Sequence, residues 1–262
     1  MMTIMTSERP SNRNLCRFLA DYSGALLGAG ATCIRLTKNV NRMAERFGRK
    51  VEITIMPRHV HISVLDSSDD ELVTMIAPVT NGPISFNINT LLSQLSWDIH
   101  DHRLSFSRAE EEFHRIVAND SQRPWLVLLL ASVANAAFCR LFGGDFAAMA
   151  IVFIATMAGY YLKQVLLKRH FDLRVTVTAC AFVSSVLGAS GILFSIGATP
   201  SVALGTSVLY LVPGIPFLNS FSDLLYNHYI CAISRFLQAT VLTCCLSGGL
   251  CLGMWLMNVG MF

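Results

Sequence analysis

Charge is scarce in the second half of this chain. Residues 124–262 contain six basic residues (Arg140, Lys163, Lys168, Arg169, Arg174, Arg235) and three acidic ones (Asp145, Asp172, Asp223). A soluble domain of that length is charged at about a quarter of its positions, so a soluble fold is excluded there and a membrane-embedded one is expected. Residues 1–123 carry 14 basic and 14 acidic residues. That balance argues against a basic nucleic-acid-binding face. The eight cysteines are scattered and form no Cys-x-x-Cys pair, so neither a disulfide framework nor a zinc ribbon is expected. No GxSxG, HExxH, Walker A or GxGxxG pattern occurs. Hence no catalytic residue, cofactor or metal is assigned. Residues 1–17 are polar and lack the apolar core of a secretory leader, which predicts that the first half stays in the cytoplasm.

What is present in residues 1–123 reads as a small α+β domain. Leu15, Phe18, Leu19, Tyr22 and Leu26 recur near helical spacing, and Gly28-Ala-Gly30 breaks that helix. A second helix over 32–47 puts Ile34, Val40, Met43 and Phe47 on one side, with Arg35, Lys38 and Arg42 elsewhere, and Gly48 ends it. Val51, Ile53 and Ile55 alternate with polar neighbours, as do Val60, Ile62 and Val64. They predict two strands joined at Pro57-Arg58, with a third strand over 72–79. A helix is expected over 88–100. Ser107-Arg-Ala-Glu110 reads as a capping box that starts a further helix through Val117. His59 and His61 share one strand face, but no ligand spacing completes a metal set, and they read as edge histidines.

The charge-poor half divides into apolar runs of about the 20 residues a span needs. Five spans are predicted, at about 125–142, 146–167, 175–196, 202–225 and 230–259, which makes residues 124–262 a polytopic α-helical membrane domain. With that count, Arg123, the Lys163–Arg174 cluster and Arg235 all fall on one side. The basic side faces inward, so the N-terminus is expected in the cytoplasm and the C-terminus in the periplasm. An odd count also suggests that a second chain completes any transport path.

Within the fourth run lies Leu211-Val-Pro-Gly-Ile-Pro-Phe-Leu-Asn-Ser-Phe-Ser-Asp223. Pro213, Gly214 and Pro216 interrupt a helix where freed backbone groups need protein or cavity water. Asn219 and Asp223 are four apart and share a helix face. A carboxylate in a span costs roughly 2.5–3.5 kcal/mol on insertion scales and usually marks function. Asp223 is a candidate carrier of a coupling proton, or else a helix-flanking group at the interface. Asn219 can bind a polar substrate. Arg140 and Arg235 can hold a substrate carboxylate by paired donors, or can snorkel to the interface. Asn135, Ser184 and Ser185 read as interhelical glue.

Together, Gly24, Gly30-Ala31, Arg35, Pro124-Trp125, Phe142-Gly-Gly-Asp145, Leu211-Val-Pro-Gly214, Asn219 and Asp223 resemble the threonine/serine exporter family over about residues 15–257. More narrowly, the chain resembles the family's short, YjjP-type form. That resemblance implies export of small metabolites across the bacterial inner membrane, driven by proton-motive force, and adds Asp145 to the candidate path. For the split form it implies a YjjB-type integral membrane partner and export of succinate and other C4-dicarboxylates. Full-length members export threonine and serine. Two other readings stand beside it: a non-transporting anchor whose cytoplasmic domain recruits or regulates, and a membrane-bound hydrolase using the histidines.

Overall fold

The computed structural model describes residues 10–66, 72–79, 82, 84–118 and 123–259. The polar stretch 1–9 lies outside them. Two compact units are present, Met1–Asp120 with Ile215–Phe236, and Ser121–Gly214 with Leu237–Phe262.

The first unit begins with α1 (Asn12–Gly28) and α2 (Cys33–Arg46). Each has an oxygen side chain at its N-cap: Ser11 accepts from the Asn14 N–H and Thr32 from the Arg35 N–H. Such caps satisfy amides that a helix leaves open at its start. At the end of α1 the Gly30 N–H donates to the Leu27 carbonyl at 3.0 Å and the Ala31 N–H to the Leu26 carbonyl at 3.2 Å. This is the paired closure of a Schellman motif, and Gly30 takes the left-handed backbone it requires, at φ 89°.

Three antiparallel strands follow as a meander, β1 (Arg49–Ile55), β2 (His59–Asp66) and β3 (Leu72–Pro78), in the order β1-β2-β3. Val51 pairs with Val64 and Ile62 with Met75. The period-2 alternation therefore puts Val60, Ile62 and Val64 on one fully buried face. α1 covers that face with Leu15, Leu19 and Leu26. α3 (Phe86–His100) packs on α2, and α4 (Phe106–Ala118) packs on α3. Tyr22 ties these layers together. Its buried hydroxyl donates to the Leu92 carbonyl at 2.9 Å and accepts from Asn39 Nδ2 at 2.9 Å. Burial raises the phenol pKa well above its ordinary value, so it stays a donor.

One expectation needs correction. α4 begins at Phe106, and the Ala109 N–H bonds back to the Ser105 carbonyl at 3.0 Å. Ser107 is therefore inside the first turn and does not cap the helix. The physical reason is Phe106 itself, which is buried edge-on against Phe18 at 5.6 Å and Phe47 at 5.8 Å. That packing fixes the helix start two residues earlier than the polar pattern predicts.

The second unit holds α5 (Pro124–Leu141), α6 (Phe146–Lys168), α7 (Leu173–Leu193) and α8 (Pro200–Thr206), followed by a 3₁₀ turn at Leu209–Leu211. α9 (Gly214–Leu225) comes next and α10 (Tyr229–Leu256) closes the chain. Among the described residues four helices are long and apolar enough to cross a bilayer, α5, α6, α7 and α10. A fifth span arises if Pro200–Leu211 and Gly214–Leu225 count together as one broken crossing. No more than 50% of any of the four hydropathic windows is buried in the structure. Their outward side chains, Leu130, Phe138, Ile154 and Trp255 among them, form apolar surface that water would not stabilise and lipid does.

Inside this unit the polar side chains are bonded to one another. Asn135 Nδ2 donates to Thr156 Oγ1 at 2.6 Å and to the Thr206 carbonyl at 3.1 Å. Ser184 Oγ donates to the Ala155 carbonyl at 3.2 Å and meets the Tyr210 hydroxyl at 2.9 Å. These are the interhelical bonds expected of Asn135 and Ser184. Ser185 instead donates within its own helix, to the Phe182 carbonyl.

Candidate functional site

The interruption in the fourth apolar run lies at Val212-Pro213, between the 3₁₀ turn and α9. Pro216 sits in the first turn of α9, where its missing N–H leaves no bond unmade. The carbonyl that a continuous helix would have paired with residue 216, that of Val212, accepts from the Gly214 N–H at 2.8 Å. The Leu209 carbonyl accepts from the Val212 N–H at 3.1 Å. The groups freed by Pro213 and Pro216 are thus served locally.

From there α9 carries Asn219 and Asp223 to the first unit's α1–α2 turn, 189 and 190 residues away in sequence. Asp223 is fully buried. Its Oδ1 accepts from the Cys33 N–H at 2.9 Å. That amide is one of the open donors at the start of α2, where the helix dipole also favours a negative charge. Its Oδ2 forms an ion pair with Arg235 Nη1 at 2.9 Å; the contact is electrostatic and not an aligned hydrogen bond. Arg235 Nη2 donates to the Ala31 carbonyl at 2.9 Å. Asn219 Nδ2 donates to the Gly30 carbonyl at 2.8 Å. The turn Gly30-Ala31-Thr32-Cys33 is therefore gripped through its backbone by one anion, one cation and one amide.

The α9–α10 hairpin that presents these groups is itself crosslinked. Ser220 Oγ donates to the Ala232 carbonyl at 2.7 Å, and the His228 N–H to the Asp223 carbonyl at 2.8 Å. Two buried thiols flank the ion pair, Cys33 and Cys231. A hydrogen bond to Cys231, then burial, pushes the Cys33 thiol far above its ordinary pKa. Cys231 also donates weakly to the Ile55 carbonyl at 3.5 Å.

Of the residues singled out from sequence, Asn219, Asp223 and Arg235 come together here, and Pro213 and Gly214 make the turn that precedes them. Arg140 and Asp145 belong to the second unit and are bonded within it. Arg140 Nη1 donates to the Gly144 carbonyl at 3.1 Å and stacks over Phe146. Asp145 caps α6 by accepting from the Ala148 N–H at 2.7 Å, and also accepts from the Ala198 N–H. Its own N–H donates to Thr199 Oγ1 at 2.8 Å. One carboxylate thus joins the α5–α6 and α7–α8 loops. Sequence reasoning missed Cys33, Cys231 and Ser220 as parts of the Asp223 site. Cys33 and Ser220 are small residues in ordinary helical contexts, and no local signal marks them. His59 and His61 lie with ring centroids 5.1 Å apart. Among the described residues no group of three or more His, Cys, Asp or Glu side chains could hold a metal ion.

A pH dependence is expected of the Asp145 loop. Amide donation from Ala148 and then Ala198 holds its carboxyl below the ordinary aspartate pKa. A depressed value stabilises the fold above the unfolded pKa, near 4, and that contribution disappears as pH falls through the folded value. The expected result is that wild type melts above Asp145→Asn at pH 7 and that the gap closes as pH falls below about 4. A gap independent of pH would contradict it.

The fold and this site describe a polytopic membrane protein with buried ionisable groups at a broken helix, the class to which transport proteins belong. A family model described as "Putative threonine/serine exporter" matches residues 17–257. The chain belongs to that family, an exporter family. It is similar to the "Probable succinate transporter subunit YjjP" of Escherichia coli (strain K12), 27% identical over 212 residues that cover 78% of this chain and 81% of that protein. It is also similar to the protein of the same description from Klebsiella aerogenes, 24% identical over 257 residues that cover 96% and 98%. No solved structure matches the chain.

Proposed function

We propose that this chain is one subunit of a bacterial inner-membrane exporter of small carboxylate metabolites, driven by proton-motive force. The cargo is a C4-dicarboxylate such as succinate, or threonine or serine. A YjjB-type integral membrane chain completes the path. The N-terminus is cytoplasmic and the C-terminus periplasmic. The names of the two relatives, each a transporter subunit, support the class. The observation that carries the mechanism is the fully buried Asp223 paired with Arg235 beside a broken helix. Export driven by an inward proton gradient requires proton and cargo to occupy the carrier in turn. Asp223 is the group that exchanges its ion pair for a proton, and Arg235, a fork of donors suited to a carboxylate, is the group that meets the cargo. Asn219 offers a neighbouring amide to the cargo.

The test is succinate efflux from cells expressing this chain with its partner. Asp223→Asn at equal expression should lower efflux at least tenfold. Undiminished efflux would remove the coupling role. One observation favours a second reading. Asn219, Asp223 and Arg235 all grip the backbone of the first unit's α1–α2 turn, as the docking contacts of a non-transporting anchor or regulatory subunit would. Reconstitution with a YjjB-type chain separates the two, since the absence of flux under a proton gradient favours the anchor.

A further inference from the structure

α2 places three cations on one face at i, i+3 and i+7 spacing, Arg35, Lys38 and Arg42. They wall a groove of about 570 Å³ against α3, which contributes Thr90, Ser93, Gln94 and Trp97, with Tyr226 at its edge. No carboxylate lines it. The two guanidinium groups are held by neutral partners. Arg35 Nη1 donates to Asn89 Oδ1 at 3.0 Å. Arg42 Nη1 donates to Ser96 Oγ at 2.7 Å and to Asn39 Oδ1 at 3.2 Å, and its guanidinium stacks 3.6 Å from the Trp97 ring centroid. The Lys38 ammonium has no hydrogen-bond or ion-pair partner among the described residues. Asp101 feels the charge of Arg42, but its oxygens are engaged by His100 at 3.0 Å and Arg103 at 3.3 Å.

Like charges placed side by side without a counter-ion repel, and an arrangement of this kind is stabilised by an anion. The guanidinium groups are fixed in orientation by their neutral acceptors, so little side-chain entropy is lost when an anion arrives. Trp97 is 49% exposed and offers an apolar wall for the body of a ligand. A pocket of this size with a few converging polar groups suits a small molecule.

We propose that the α2–α3 groove binds a small organic or inorganic polyanion, one carrying two or more carboxylate or phosphate charges, through Arg35, Lys38 and Arg42. The site stands on the geometry of the first unit alone and is independent of the exporter reading. Two of its residues adjoin the Asp223 grip. Thr32 caps α2 immediately before Cys33, and Tyr226 follows α9. An anion in the groove therefore rests against both parts of the α2–hairpin contact.

The experiment uses the full chain purified in detergent, with Trp125→Phe and Trp255→Phe so that Trp97 is the sole indole. Succinate and pyrophosphate are titrated separately while its fluorescence is followed. At least one should give a saturable change that weakens as salt rises. Lys38→Gln should weaken it about tenfold, the equivalent of one charged contact, and Arg35→Gln by a similar factor. Preference for succinate identifies a carboxylate site, and preference for pyrophosphate a phosphate site. Because Lys38 is exposed and makes no bond, its variant should melt with the parent. The proposal is overturned if neither anion gives a saturable change, if Lys38→Gln binds like the parent, or if only anionic lipid vesicles elicit a response.

Discussion

Asp223→Ala should leave the Arg235 guanidinium buried without its counter-ion and the Cys33 amide without an acceptor. Breaking one partner of a buried pair costs about 3–5 kcal/mol, enough to lower the melting temperature by roughly 10 °C in a chain of this size. The side chain of Arg235 is only 21% exposed, so water offers it little relief. Asp223→Asn combined with Arg235→Met should behave differently. The asparagine oxygen can still accept from Cys33, and the methionine brings no charge, so most of the lost stability should return. Export should not return, because neither proton carrier nor carboxylate donor remains. Thermal melts of the purified single and double variants, read beside efflux, separate the structural cost from the coupling role. A double variant no more stable than Asp223→Ala would show that the pair is not what holds this region together.

Gly30→Ala is expected to be nearly as damaging, for two additive reasons. The backbone at 30 is left-handed, at φ 89°, which costs a non-glycine residue about 1–2 kcal/mol. A methyl there would also lie 2.8 Å from the Ile84 Cγ2 atom, and overpacking of that kind costs about 1–3 kcal/mol. Gly48 provides the control. It too has positive φ, 67°, but nothing lies within 4 Å of an added Cβ, so Gly48→Ala should carry the backbone term alone. Melts of the two variants should therefore differ, with Gly30→Ala the lower by several degrees. Equal effects would mean that Ile84 yields and that the turn tolerates the methyl. Since the Gly30 carbonyl is the acceptor for Asn219, Gly30→Ala should also reduce efflux wherever the α1–α2 grip is needed for export.

Local physics was legible in the sequence, and distant pairing was not. The strand alternation at Val60, Ile62 and Val64, the glycine stop at 30 and the apolar runs each follow from periodicity over a dozen residues or so. The break at Pro213 and the shared face of Asn219 and Asp223 could be read for the same reason. The partner of that face could not. Nothing near Gly30 or Cys33 announces an anion arriving from 190 residues away, because the bonds are to backbone atoms that every residue possesses. The Ser107 capping box failed through the opposite effect, a local polar pattern overruled by the burial of Phe106 among Phe18 and Phe47. Arg35, Lys38 and Arg42 were visible as the polar side of α2. Their convergence on Trp97 depends on how α2 meets α3.

The first unit is discontinuous along the chain, since it takes Ile215–Phe236 from beyond the first three long apolar helices. During synthesis at about 5–20 residues per second, the strands and α1–α4 leave the ribosome many seconds before α9 exists. Through that interval the Cys33 amide and the Gly30 and Ala31 carbonyls must bond water or a chaperone. A nascent chain arrested near residue 120 would consequently be an incomplete domain, more readily cleaved at the α1–α2 turn than the same residues in the finished protein.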